Sequence, residues 1–369
     1  MECDFRGGCH SRKSGTRIVA GVCLRQGKSA EHKERKPFCI CARARRRALR
    51  LRGVLAYSFC MRFVLGFDGG GTKTECVLMD ETGAILARAR TGPSNPSRVG
   101  MDTAYAALAE AADKALAAAG KSAGEVVSIC GAIAGAGLTG SMPEYHRRFT
   151  RKFPNARVFL STDLSMALAA TMELPSIVVL AGTGSAVLGR DAGGTLAREG
   201  GLGPVLGDPG SAYDIGRKAV ILCLSQHGPG QNSPLGNEIL DAFECNWMEL
   251  QARIRSNPDS VLPKVFPVVA KAANEGDESA RTLLRSAAEE LAGFVAQVVE
   301  RLGLRDEPFF LAKTGGVFHR SAHFDVCFDE LVRKMAPRAR IGPLATPIAE
   351  FAAHSAIDCL DGPERKVEG

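Results

Sequence analysis

No stretch of this 369-residue chain approaches the roughly 20 consecutive apolar residues that a membrane-spanning helix needs. No apolar segment of useful length follows the basic residues near the start, which argues against a secretory signal. The six cysteines after residue 61 (Cys76, Cys130, Cys223, Cys245, Cys327 and Cys359) are scattered without metal-ligand spacing. They read as buried thiols of a reducing, cytoplasmic compartment. Excess positive charge is also missing from most of the chain. Residues 1–60 hold fifteen Lys or Arg against four Asp or Glu, whereas residues 61–369 hold thirty-two against thirty-six. The net charge of +7 therefore belongs to the leader, and the body offers no electrostatic case for nucleic acid.

The leader itself carries the other six cysteines and a plain basic run from Arg43 to Arg52, with no sustained helical or strand period. Three readings stand for it: a basic arm for nucleic acid or membrane, a targeting peptide, or translated sequence upstream of the true start. Met61 stands directly before the first apolar strand, so the third is the expectation. N-terminal mass measurement on protein from the native host should find a start near Met61, and an intact Met1 would overturn it.

What the body has is glycine in particular places. Phe63-Val64-Leu65-Gly66-Phe67 runs as an apolar strand into Asp68, then Gly69-Gly70-Gly71-Thr72-Lys73-Thr74, before a second strand begins at Glu75. Three successive glycines give up side-chain contacts and cost backbone entropy, so the turn needs unusual φ/ψ or a close backbone approach. Backbone N–H groups and hydroxyls in such a turn can hold phosphate oxygens, and an aspartate just before it can hold Mg²⁺ through water. An ordinary Gly-rich hairpin is the alternative. Ser176–Ala181 followed by Gly182-Thr183-Gly184-Ser185 repeats the design, which suggests two related half-molecules facing one nucleotide. Between them Arg157–Leu160 ends at Ser161-Thr162-Asp163, where a small-residue helix begins. An acid at a strand's end in an open α/β sheet projects into the ligand crevice; Asp163 as a plain helix N-cap is the alternative.

These motifs, with a late Thr314-Gly315-Gly316-Val317-Phe318, resemble the sugar kinase, Hsp70 and actin superfamily of phosphotransferases. Gly200-Gly201-Leu202-Gly203-Pro204-Val205-Leu206-Gly207-Asp208 and its continuation to Arg217 narrow the likeness. This segment is similar to the signature of N-acetylglucosamine kinases and their relatives in the BadF/BadG/BcrA/BcrD ATPase group, over about residues 62–360. The resemblance implies an α/β fold of two ribonuclease H-like (actin-like ATPase) domains flanking a nucleotide cleft, the second helix-rich. Residues 61–175 plus about 346–369 would form the N-terminal domain and 176–345 the C-terminal one, with 1–60 outside both. Periodicity places strands near 62–68, 74–80, 84–90 and 126–132, a helix from Asp102 to Ala119 ended by Gly120, and a helix near 142–153. Helices dominate from Ser211 to Gly303, a strand covers Phe309–Ala312, and a last helix covers about Pro347–Leu360, which the resemblance implies returns to pack on the first domain.

The resemblance also assigns roles. Asp163 is the general base; Asp68 holds Mg²⁺; Gly70, Gly71, Thr72, Thr74, Thr183 and Ser185 bind the ATP phosphates. Gly315 and Gly316 lie against the adenosine, where a Cβ would clash, and Asn95, Asp163, Gly184, Gly201 and Asp208 meet the sugar. Asn95 also fits an Asx-turn, Lys73 a charge contact or an outward-facing lysine, and Gly315-Gly316 a strand-to-helix turn. The family usually has Trp where this chain has Leu202, Glu where it has Pro209, an aromatic where it has Asp214 and a small residue where it has Glu350. The activity implied is ATP-dependent phosphorylation of an amino sugar at its 6-hydroxyl, with ATP and Mg²⁺, a small-molecule sugar as partner, no membrane, and a homodimer left open. Two other classes stay in view: an ATPase that drives a partner's redox step, whose cluster cysteines are missing here, and a non-catalytic sugar sensor, which would lack the base. The clustered Cys/His zinc motif of repressor-type sugar kinases is missing too.

Overall fold

The computed structural model describes residues 61–137, 139–226 and 233–360, so the leader and the tail beyond Leu360 lie outside the described residues. The first half alternates as the apolar pattern requires. Strands β1 (Phe63–Gly69), β2 (Thr74–Asp80) and β3 (Ile85–Thr91) form an antiparallel meander, and helices α1 (Pro96–Val99) and α2 (Met101–Ala118) follow. Then come β4 (Val126–Ile133), α3 (Met142–Lys152), β5 (Arg157–Ser161) and α4 (Asp163–Ala170). The second half opens with β6 (Ser176–Ala181), β7 (Ser185–Arg190) and β8 (Leu196–Gly200). Five helices follow: α5 (Ala212–Ser225), α6 (Pro234–Phe243), α7 (Trp247–Ser256), α8 (Pro258–Glu275) and α9 (Glu278–Arg301). The chain closes with β9 (Phe309–Thr314), α10 (Gly316–Arg320), α11 (Ala322–Met335), β10 (Ala339–Pro343) and α12 (Ile348–Asp358).

The two sheets share one topology. The first runs β3-β2-β1-β4-β5 and the second β8-β7-β6-β9-β10, each with an antiparallel meander and two parallel strands beside its first member. Both glycine motifs occupy the same place, the turn between a sheet's first and second strands. The parallel strands β1 and β4 are buried or half-buried on both faces, hence their continuous apolar runs. Gly120 takes the left-handed conformation (φ 64°) just past α2, and Lys121 N–H reaches back to the Leu116 carbonyl, the arrangement expected of a C′ glycine.

Two helices tie the halves together. α4 buries Met166 with α12 on the first sheet and Leu164, Ala167 and Leu168 against Val178, Leu188 and Ala312 of the second. α12 lays Ala349, Ala352, Ala353 and Ala356 on Val64, Val77 and Met79, and its Glu350 pairs with Arg88 of β3. That approach requires a glycine beneath it: a Cβ on Gly66 would fall under 3 Å from the Ala349 carbonyl and the Ala353 backbone. Among the described residues no helix is long and apolar enough to cross a membrane. The pattern had not marked α1, α10, α11, β8 or β10; the last two are short edge strands whose burial alternates weakly.

Gly66→Ala should therefore destabilise the fold by about 3 kcal/mol, the scale of overpacking against backbone that cannot yield. Urea denaturation monitored by circular dichroism tests this; an unchanged midpoint would mean that α12 does not sit this close to β1.

Candidate active site

Asp68 lies near the carboxyl end of β1 and Asp163 directly after β5, so both project from the same end of the first sheet. Thr162, not Asp163, is the N-cap of α4: its Oγ1 accepts the Ser165 N–H at 3.1 Å and donates to Ser165 Oγ at 2.8 Å. The capping alternative for Asp163 is thereby taken by its neighbour, and Asp163 stands at the first helical position. Burial raises its carboxyl above the ordinary carboxylate range, while the Leu164 amide and the Arg198 charge oppose that rise. Burial, with the charges of Asp163 and Glu75 added, pushes Asp68 up to about 7. Two half-buried acids at one end of the sheet, the charge of Asp163 felt by Asp68, suit a divalent cation. Among the described residues no group of three or more ligating side chains forms a cage. Mg²⁺ does not need one, because it typically takes one or two carboxylates and keeps waters and substrate phosphates as its other ligands.

The two glycine turns meet. Thr72 Oγ1 and Thr183 Oγ1 are 2.8 Å apart across the halves, and a Cβ on Gly71 would come within 3.7 Å of Thr183 Cβ. In the first turn Gly70 N–H donates to the Lys73 carbonyl at 2.9 Å. Lys73 points outward and pairs with Glu75 at 2.6 Å, the second of its two readings.

Two of the hydroxyls assigned to phosphate turn the other way. Thr74 is fully buried, and its Oγ1 donates to the Gly92 carbonyl at 2.8 Å and is hydrogen-bonded to Ser94 Oγ at 2.7 Å. It holds the turn from behind. Ser185 is likewise buried and donates to the Pro209 carbonyl at 2.7 Å, tying its strand to the loop that follows β8. Strand alternation explains both: each is the first residue of its strand, with its side chain on the inner face.

Asn95 caps α1, its Oδ1 accepting the Ser97 N–H at 2.9 Å, so the Asx-turn reading holds. Its amide nitrogen has no partner among the described residues and lies by Gly135, where φ is +75° and a Cβ would strike it at 2.9 Å. The loop Gly200–Gly210 is strained by design. Gly200, Gly201, Gly203, Asp208 and Gly210 all have positive φ. Asp208 is 5% exposed, its Oδ2 would lie 2.6 Å from a Cβ on Gly184, and its Oδ1 is buried without a hydrogen-bond partner. Burial raises its carboxyl, against the pull of the Gly203 amide and the Arg98 charge. An orphaned carboxylate oxygen at a crevice is what a sugar hydroxyl would satisfy.

Gly315 fits the strand-to-helix turn that was its alternative reading. It has φ 104° and caps α10, and a Cβ there would strike the Ala181 carbonyl and the Gly182 nitrogen, not a ligand. Its glycine answers to the protein's own backbone. Gly316, the first residue of α10, has open space where a Cβ would be, so a side chain would fit in the protein alone. Three residues went unassigned in the sequence: Ser94, which is fully buried and braces both Thr74 and the Gly70 carbonyl; Tyr145, whose hydroxyl reaches the Ser94 carbonyl at 3.3 Å; and Arg98. The Gly-Pro-Ser-Asn-Pro segment was the available signal for the first.

Paired phosphate-type turns on duplicated sheets, with carboxylates at the strand ends between them, define a two-domain actin-like phosphotransferase fold. The chain belongs to the BadF/BadG/BcrA/BcrD ATPase family, whose profile matches residues 65–350. It is 30% identical over 286 residues to an N-acetylmuramic acid/N-acetylglucosamine kinase of Clostridium acetobutylicum, covering 76% of this chain and 94% of that protein. It is 29% identical over 300 residues to an N-acetyl-D-glucosamine kinase of Dictyostelium discoideum, covering 75% and 92%. Its fold is similar to that of a provisionally named N-acetylglucosamine kinase of Chromobacterium violaceum, with TM-score 0.63 and 25% identity over 80% of this chain and 99% of that one.

The raised Asp68 carboxyl predicts an unusual pH dependence. The folded protein holds a proton that the unfolded chain, titrating near 3.8, has released, so this group's contribution to stability falls as pH rises toward 7. Asp68→Asn should be more stable than wild type at pH 8 by roughly 1–3 kcal/mol, and the gap should shrink as pH falls to 5. Added Mg²⁺ should narrow it as well. Denaturation curves at the two pH values measure this; a gap independent of pH would remove the buried-acid assignment.

Proposed function

We propose that this protein transfers the γ-phosphate of ATP to the 6-hydroxyl of N-acetylglucosamine or a close amino sugar. One observation carries the reading: Asp163, relieved of capping by Thr162, stands beside Asp68 at the strand ends, while the glycine turns of both halves touch through Thr72 and Thr183. The named relatives act on N-acetylglucosamine or N-acetylmuramic acid, which supports an amino sugar as acceptor. We take residues 61–175 with about 346–369 as one domain and 176–345 as the other, a division supported by the packing of α12 on the first sheet.

Phosphoryl transfer asks the protein for alignment, charge stabilisation and a proton acceptor. In this reading Asp163 takes the proton of the sugar's 6-hydroxyl as that oxygen bonds to the γ-phosphorus and the bond to the bridging oxygen of ADP breaks. The turn amide at Gly71, with the hydroxyls of Thr72 and Thr183, holds phosphate oxygens from the two sides, while Gly70, its amide bonded to the Lys73 carbonyl, shapes the turn. Asp68 would hold Mg²⁺ through water, and the ion would supply neutralisation of the triphosphate charge. Gly316 leaves room for the nucleoside. Asn95 Nδ2 donates to the sugar, Asp208 Oδ1 accepts from one of its hydroxyls, and Gly184 and Gly201 let that loop approach. Closure of the halves excludes water and limits hydrolysis.

Asp163→Asn should leave nucleotide binding nearly unchanged while turnover falls by about 100-fold or more, the usual scale for a lost general base. A coupled ADP-release assay over glucosamine, N-acetylglucosamine, N-acetylmuramate, glucose and mannose reads both this and the acceptor. Wild-type turnover in the variant would remove Asp163 from the mechanism, and no turnover with any amino sugar would overturn the acceptor class.

A further inference from the structure

The candidate site is rich in acids, and its cations are mostly committed elsewhere. Asp68, Asp163, Asp208 and Glu75 all lie around the crevice. A nucleotide triphosphate adds several more negative charges. Lys73 is neutralised by Glu75. Arg198 donates Nε to the Gly200 carbonyl and Nη2 to the Gly201 carbonyl, at 3.3 and 3.1 Å. Lys218 and Arg217 are paired with Asp214.

Arg98 differs from these. It sits on α1, three residues after Asn95, and residues three apart on a helical turn share a side. Its aliphatic stem runs over the tip of the first glycine turn: a Cβ on Gly71 would lie 3.4 Å from Arg98 Cδ, 3.5 Å from Nε and 3.7 Å from Thr183 Cβ. The guanidinium thus stands beside the point where the two turns meet, with Asp208 and Asp259 acting on it through space. Among the described residues it makes one hydrogen bond, Nη1 to the Asp259 carbonyl at 3.3 Å, and no ion pair. A guanidinium carries five N–H donors in a planar fork suited to phosphate, and leaving most of them unused in a half-buried position is costly.

We propose that Arg98 is a catalytic residue that contacts the terminal phosphate of the nucleotide, the group transferred between the halves. The inference rests on the kinase reading above. It assigns the positive charge that the glycine turns, which offer only neutral donors, do not supply. With Asn95 on the same turn, one short helix then presents a neutral amide to the acceptor and a cation to the donor.

Calorimetric titration of a non-hydrolysable ATP analogue and of ADP, each with Mg²⁺ and without sugar, separates this from a bracing role. Arg98→Gln should weaken the triphosphate analogue by about 10-fold or more while changing ADP affinity less than about 3-fold, because only the terminal phosphate loses a charge-assisted contact. Arg98→Lys, which keeps the charge without the fork, should fall between. With the preferred sugar, kcat should drop and the sugar KM stay within about 3-fold. Equal losses for both nucleotides, no loss for either, or an effect confined to the sugar KM would each overturn the assignment. Because the nucleotide titration contains no acceptor, a failed sugar screen with intact triphosphate discrimination would sink the amino-sugar reading and leave Arg98 standing. If Arg98→Gln fails to fold, Arg98→Lys alone decides, by its ratio of triphosphate to diphosphate affinity.

Discussion

The structure depends on keeping two carboxylates unneutralised by the protein in one crevice. Asp68 and Asp163 reach the same end of the first sheet from strands separated by β4, and burial raises both. Such a pair is a liability to the folded chain. What compensates it is the packing on either side: α4 begins at Asp163 and is buried against both sheets, so the acid cannot swing out without opening the junction between the halves. A site that costs stability when empty is one that a cation and an anionic substrate can stabilise when they arrive.

The duplicated topology determines how those ligands could be met. Because each half folds its sheet in the same strand order, the turn between first and second strands recurs at the same corner, and the Thr72–Thr183 contact joins the two corners. The halves are not equivalent in what they add. The first contributes both acids and the α1 turn. The second inserts five helices between β8 and β9, and builds on them a large core around Phe266, Leu291 and Val295 that steadies β7 and β8.

Much of this was legible in the chain because glycine and aspartate leave marks that few other demands produce. The paired turns, Asp163 at a strand's end and the final helix each stand in the structure where the pattern put them. Which way a hydroxyl points was not legible. Thr72 and Thr74 are both turn-motif threonines, yet one touches the opposite half and the other is sealed behind Ser94, because Thr72 lies in the turn and Thr74 is already the first residue of β2, held by the sheet. Gly315 stands at the strand-to-helix turn offered for it, but the backbone that excludes a Cβ there comes from β6, more than a hundred positions earlier, which no local pattern reveals. Edge strands β8 and β10 escaped notice because Leu-Ala-Arg-Glu-Gly and Ala-Arg-Ile-Gly-Pro carry little apolar alternation.

The loop after β8 and the Gly182–Ser185 turn form one mechanical piece. Ser185 donates to the Pro209 carbonyl, Gly201 N–H donates to the Ser185 carbonyl at 2.9 Å, and Ala212 N–H donates to the Gly182 carbonyl at 2.8 Å. Gly184 lacks the Cβ that would displace Asp208. Every one of these contacts joins the Gly182–Ser185 turn to the segment that carries Asp208. A shift of the turn therefore carries the Asp208 carboxylate with it, while Leu202, Val205 and Leu206, exposed at 58%, 88% and 78%, ride on the outer arc of the same loop. Within that arc the Gly207 N–H donates to the Gly203 carbonyl at 2.9 Å. Movement of the Gly182–Ser185 turn is thus tied to movement of Asp208 through hydrogen bonds that a replacement such as Leu202, on the outer arc, leaves in place.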